Sequence, residues 1–127
     1  MSSFVLDSSA LLACLNREPG SEAIIGIVAE ALLCSVNLAE AVTVLVGQGA
    51  SKEKAIEILQ LWEFEVVDFE RSLAEETGAL IEHTRSMGLS LGDRTCLALA
   101  LTRSLPAVTA DRSWRGIDIG VQIQFIR

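Results

Sequence analysis

At 127 residues the chain matches one ordinary domain, long enough to bury roughly two thirds of the surface its unfolded form exposes. Half of it is hydrophobic and only 5% is aromatic, which excludes a disordered chain and predicts a core of Leu, Ile, Val and Ala rather than stacked rings. The net charge of -7 excludes tight non-specific binding to nucleic acid through a basic footprint, but not a nuclease whose clustered carboxylates hold a cation, because bound metal reverses the local field.

Phe4-Val5-Leu6 reads as a short strand, closed by Asp7-Ser8-Ser9, which cap a helix running to Leu15. Pro19-Gly20 opens a second helix through Ile24, Ile25 and Val28, and Leu32-Leu33-Cys34-Ser35 makes a second strand. A helix over 36–47 follows directly, ended by Gly47 to Gly49. Ser51 caps the next helix, whose Ala55, Ile56, Ile58, Leu59 and Trp62 share one side. Phe64-Glu65-Val66-Val67 is a third strand. Residues 70–87 place Leu73, Ala74, Thr77, Leu80, Ile81, Thr84 and Met87 on one stripe, which predicts a single amphipathic helix with Gly88 as its C-cap. Gly92-Asp93 starts a largely apolar helix to Ser104, Pro106-Ala107-Val108-Thr109 reads as a fourth strand, and Val121 to Ile126 as a fifth.

Strands separated by helices argue for a parallel sheet of four to five strands covered on both faces. Right-handed crossovers then make a three-layer α/β/α sandwich the natural packing, as one domain over residues 1–127. Ligands of such sheets bind beyond the carboxyl ends of the strands. Asp7 follows the first strand and Asp111 follows the fourth, so both belong to that edge, and they face one crevice if the two strands are neighbours.

No apolar run reaches the ~18 residues that cross a bilayer, and the start of the chain lacks the basic segment and cleavage site of a leader. A cytoplasmic protein with no membrane partner is expected. Cys14, Cys34 and Cys96 are odd in number, lie in apolar sequence and show no CxxC spacing, so they read as reduced core thiols. With His83 the single histidine, a zinc site is disfavoured.

Taken singly, each acid has an ordinary explanation. Asp7, Asp93 and Asp111 are all placed to cap a helix or turn. Yet on a helical projection Asp93 falls within the arc of Cys96, Leu97, Ala100 and Leu101, so it points inward, and an inward acid needs a partner. Glu40 projects opposite Leu38, Val42, Leu45 and Val46, a side it shares with Asn37, Thr43 and Gly47. That side is small and polar enough for another layer to approach closely.

The joint pattern is more specific than its parts. Val5-Leu6-Asp7-Ser8-Ser9-Ala10-Leu11-Leu12, Ser35-Val36-Asn37-Leu38-Ala39-Glu40, Leu89-Ser90-Leu91-Gly92-Asp93-Arg94-Thr95-Cys96-Leu97-Ala98 and Thr109-Ala110-Asp111-Arg112-Ser113-Trp114 resemble, in order and over the whole chain, the acidic motifs of PIN-domain VapC proteins. The resemblance implies that Asp7, Glu40 and Asp93 bind metal, that Asp111 completes the site directly or through water, and that Ser9 and Asn37 orient the acids. Some members of that family carry a further acid where Ser113 stands. It also implies a first strand beside the fourth, an RNA substrate cut to leave a 3′-hydroxyl, and a VapB-like antitoxin as partner.

Oxygen-only ligands select hard cations, so Mg²⁺ or Mn²⁺ is the expected cofactor of this endoribonuclease reading. Arg94 and Arg112 each follow a site acid and are candidates for phosphate contact or charge neutralisation, with a surface salt bridge as the plain alternative. Trp62 and Trp114 read as packing residues and His83 as a surface residue. Leu61 projects away from the stripe of its own helix, which predicts a homodimer surface. Two other phosphoryl-transfer folds fit less well. A haloacid-dehalogenase-type phosphatase needs a second Asp where Ser9 stands, and a receiver domain needs paired early acids and a late lysine. From another class, a non-catalytic PIN-like binding module would tolerate loss of some acids, and this chain has all four.

Overall fold

Five strands pair side by side, all parallel, in the order β3-β2-β1-β4-β5. They are β1 (Phe4–Leu6), β2 (Ala31–Cys34), β3 (Glu65–Val67), β4 (Ala107–Thr109) and β5 (Ile123–Phe125). The structure is a computed structural model and describes residues 2–126. The predicted neighbour relation holds: Val5 pairs with Ala107 and Leu6 with Val108.

β1, β2 and β4 are buried along their whole length, which is why they read as continuous apolar runs rather than alternating ones. Their alternate side chains serve different layers. Phe4, Leu6, Ala31, Leu33 and Val108 pack against α1 (Ser8–Leu15), α2 (Glu22–Ile25), α3 (Ser35–Gly47) and α4 (Lys52–Gln60). Val5, Leu32, Cys34 and Ala107 pack with Trp114 against α5 (Arg71–Ala79) and α7 (Leu91–Arg103). This is the three-layer α/β/α arrangement. Cys14, Cys34 and Cys96 are free and buried within it. Among the described residues no helix is long and apolar enough to cross a membrane.

Two predicted helices are interrupted. The stripe over 70–87 is divided into α5, α6 (Ile81–Thr84) and a 3-10 turn at Arg85–Met87. Of the predicted stripe, Leu73, Thr77, Leu80 and Thr84 are buried, while Ile81 is exposed. The Thr77 and Thr84 hydroxyls donate back to the carbonyls of Leu73 and Leu80 at 2.7 and 2.8 Å, bonds that bend a helix, and Gly78 weakens the same stretch. Gly88 closes it in the left-handed region at φ 65°, as a C-cap should. The helix expected from Pro19 to Val28 shrinks to the four residues of α2 plus a 3-10 turn at Val28–Glu30. Gly26 and the β-branched Ile24, Ile25, Ile27 and Val28 are poor helix formers. Gly20 is a turn residue at φ 91°, with the Ile126 carbonyl packed where a Cβ would stand.

α1 and α3 leave the sheet at the carboxyl ends of β1 and β2, and α7 returns antiparallel toward β4, so all three N-termini gather at one edge. α3 packs on both α1 and α7 there.

Candidate functional site

Asp7 is the first residue beyond β1 and the N-cap of α1. It is only 3% exposed. Its carboxylate accepts from the Ala10 N–H at 2.8 Å, from the Ser9 hydroxyl at 2.8 Å and from the Thr109 hydroxyl at 2.7 Å. Burial nevertheless dominates and raises its pKa from 3.8 to about 6; the hydrogen bonds pull it down, and the charge of Asp93 adds a smaller upward push. Ser9 thus holds Asp7, as expected, and its hydroxyl also accepts from the Ala110 N–H.

Glu40 sits in the second turn of α3. Its Oε1 accepts from the Asn37 side-chain amide at 2.9 Å and from the Ser8 hydroxyl at 3.0 Å. Asn37, 1% exposed, also donates to the Gly92 carbonyl at 3.1 Å, which ties α3 to α7. Its Oδ1 is buried with no hydrogen-bond partner among the described residues. The Glu40 carboxylate lies against Gly92, over the position a Cβ would occupy. Another layer does approach that side of α3, and α7 is the layer.

Asp93 is the third residue of α7. It is half-buried rather than pointed into the core, and its carboxylate accepts from the Ser90 N–H at 2.9 Å while the Ser90 hydroxyl accepts from the Asp93 N–H at 3.1 Å. The partner that an inward acid required is therefore the start of its own helix, a capping box. One turn on, the fully buried Cys96 thiol is pushed well above its ordinary range by burial, with further upward pushes from the charges of Asp7, Asp93, Cys34 and Glu40.

Asp111 joins through Thr109. Its N–H donates to the Thr109 hydroxyl at 3.0 Å, the hydroxyl that in turn donates to Asp7, while its own carboxylate caps a 3-10 turn at Ser113. Among the described residues no group of three or more His, Cys, Asp or Glu side chains is arranged to hold a metal ion. The four acids lie at the carboxyl edge of the sheet.

The arginines do not neutralise them. Arg94 donates to the Thr77 carbonyl of α5 at 3.3 Å, its Nε is buried without a hydrogen-bond partner among the described residues, and it makes no salt bridge among them. Arg112 is exposed beside Asp111. The ion pairs Lys54–Glu57 and Arg71–Glu75 lie on the surfaces of α4 and α5, and among the described residues none of the four acids has one. Trp114 is fully buried packing. Trp62 is half-buried beside an apolar groove, and His83 is exposed on α6.

The family model of the PIN domain matches residues 4–120. The chain belongs to the PIN domain family. No curated protein matches it closely enough to count. Its fold is shared with solved PIN structures at low sequence identity. The DNA-bound VapBC of Salmonella typhimurium has 22% identity and a TM-score of 0.75, with 100% of each chain covered. VapC20 of Mycobacterium tuberculosis, described as a sarcin-ricin loop cleaving toxin, has 17% identity and a TM-score of 0.74, covering 94% of this chain and 99% of its own. FitAcB of Neisseria gonorrhoeae has 20% identity and a TM-score of 0.72, with 97% of each chain covered.

In this PIN domain three contributors escaped sequence reasoning. Thr109 bonds directly to the buried acid, and its signal was its place at the end of a strand neighbouring β1, two residues before Asp111. Gly92 stands in the first turn of a helix where no turn requires glycine, and such a residue costs ~1 kcal/mol relative to alanine unless space demands it. Ser8 left no signal, because the serine beside it explains the cap equally well.

Proposed function

We propose that this PIN domain is a metal-dependent endoribonuclease, the VapC-type toxin of a toxin-antitoxin pair, acting as a single domain with Asp7, Glu40, Asp93 and Asp111 as the acids of its site. The observation that carries the reading is a charge imbalance: Asp7, Glu40 and Asp93 stand in the opening turns of three helices that start at the carboxyl edge of a parallel sheet, Asp7 buried, with no ion-pair partner among the described residues. A divalent cation is the natural counter-charge.

The donor set fits Mg²⁺ or Mn²⁺. All candidate ligands are oxygens, and Mg²⁺ keeps several waters and takes one or two carboxylates rather than an all-protein cage, so it does not require the acids to close around it. The buried Asn37 Oδ1, without a hydrogen-bond partner among the described residues, is a further oxygen acceptor three residues from Glu40. Bound there, the ion would supply Lewis acidity, activating water and offsetting charge on the phosphate. The chain's own residues do the positioning: Thr109 and Ser9 hold Asp7, Ser8 and Asn37 hold Glu40, and Ser90 holds Asp93.

A VapB-like antitoxin and a second copy of the chain are the expected partners, and the VapBC complexes among the similar structures support the first. Leu61 is 77% exposed at the end of α4. Next to it runs an apolar groove lined by Leu38, Val42, Ile56, Trp62, Phe64 and Val66, and an exposed apolar surface of this kind is what a second copy could cover.

The test is incubation of the purified protein with total RNA in Mg²⁺ or Mn²⁺ and in EDTA, followed by mapping of new ends. Discrete cuts that require metal and disappear in Asp93→Asn support the reading. RNA binding without cleavage, unchanged by EDTA, would favour a non-catalytic module instead.

A further inference from the structure

We propose that Gly92 and Ser8 are positioning residues for Glu40: the missing Cβ at 92 and the hydroxyl at 8 together set where the Glu40 carboxylate stands beside Asp93. The inference rests on the reading of Glu40 as a metal ligand and adds two residues that hold it in place.

Glu40 reaches out from α3 and is met by two other helices. From α1, Ser8 donates to Oε1 at 3.0 Å, and within α3 Asn37 donates to the same oxygen at 2.9 Å. Oε2 accepts no hydrogen bond among the described residues and is the oxygen lying closest to where a Cβ on Gly92 would be. One oxygen is thus tied to the protein, and the other is turned toward the first turn of α7 and left open.

Gly92 needs no special backbone conformation. It is absent from the glycines at positive φ and is buried inside α7, where alanine is the better helix former. Its use is therefore spatial. An added Cβ would fall within 3.0 Å of both carboxylate oxygens. Because the obstructed group is the far end of a flexible side chain rather than backbone, an alanine would displace Glu40 more readily than it would disrupt α7. The substitution attacks position and spares the fold. Ser8, half-buried at the start of α1, is likewise off the core, so its loss removes one of the two donors to Oε1 without opening a cavity.

The experiment measures Mn²⁺ binding by titration calorimetry, melting in EDTA and RNA cleavage for the wild type, Gly92→Ala, Ser8→Ala and Ser8→Thr. Gly92→Ala and Ser8→Ala are expected to melt in EDTA close to the wild type, to bind Mn²⁺ at least about tenfold more weakly, and to lose cleavage in kcat. Ser8→Thr, which keeps the hydroxyl, restores both. Wild-type Mn²⁺ affinity in Gly92→Ala and Ser8→Ala overturns the inference and leaves the metal reading intact. A wild type that neither binds Mn²⁺ nor cleaves RNA overturns that reading, and the inference with it. If Gly92→Ala does not fold, Ser8→Ala decides: weakened Mn²⁺ binding with an unchanged melt supports positioning, and unchanged binding overturns it.

Discussion

Asp7 bears the electrostatic cost of the crevice because it is the acid that the fold buries. Its pKa is raised from 3.8 to about 6 by desolvation, so the folded state prefers the neutral form. Below pH 3.8 the group is protonated in both states and costs nothing. Between 3.8 and about 6 the unfolded chain ionises first and stability falls as pH rises; above about 6 the full penalty stands, on the order of 3 kcal/mol at ~1.36 kcal/mol per pH unit. Asp7→Asn keeps an oxygen for the Ala10 N–H. In EDTA its stability relative to the wild type should therefore rise by up to that amount from pH 4 to pH 7, measured by urea denaturation across the range. A difference that does not vary with pH would mean Asp7 titrates as an ordinary surface acid. Asp93→Asn is the complementary case. The asparagine can still accept from Ser90, so the fold should hold, while metal-dependent RNA cleavage falls by at least about a hundredfold; full residual activity in metal-replete buffer would remove Asp93 from the site.

At the level of elements, two of the three helices that start at this edge are held by a cap made from a site residue or its neighbour, while α3 has no side-chain cap. Asp7 caps α1, and Ser90 with Asp93 forms the capping box of α7. The start of α7 is thus both a structural cap and a ligand platform. Away from the crevice, Ser51 caps α4 through the Lys54 N–H at 3.1 Å. Replacing either serine by alanine should cost about 1 kcal/mol in denaturant melts. Only Ser90→Ala should also depress cleavage, because it releases the backbone against which Asp93 is set. Equal activity in the two variants would separate capping from function.

For the whole molecule, burying the Asp7 carboxylate makes the metal-free protein less stable near neutral pH than its core would allow. A cation that binds only the folded form stabilises it by mass action, about 2.7 kcal/mol at a hundred times Kd, which for a domain of this size is a rise in Tm of roughly 10 °C over EDTA. No metal-dependent shift in the wild type would mean the acids do not act together. The exposed apolar surface around Leu61 predicts a dimer at micromolar concentration; sedimentation as a single monomeric species would refute that.

The sequence by itself determined the layers and the strand positions, and it singled out the four acids as candidates. These rest on local signals: apolar runs, helical stripes, caps, and motif residues that stay within a few positions of one another. It missed the break at Leu80, because back-bonding by Thr77 and Thr84 and the weakness at Gly78 leave the period of the stripe unchanged. The partnerships belonged to the tertiary structure alone. Residue 8 bonds residue 40, residue 37 bonds residue 92, and residue 109 bonds residue 7, contacts that exist only once β4 lies beside β1 and α7 is packed on α3. Arg94 shows the same limit. Its place next to Asp93 in the chain suggested charge neutralisation, but on a helix successive side chains diverge by about 100°, and the guanidinium was carried to the carbonyl of Thr77 on α5.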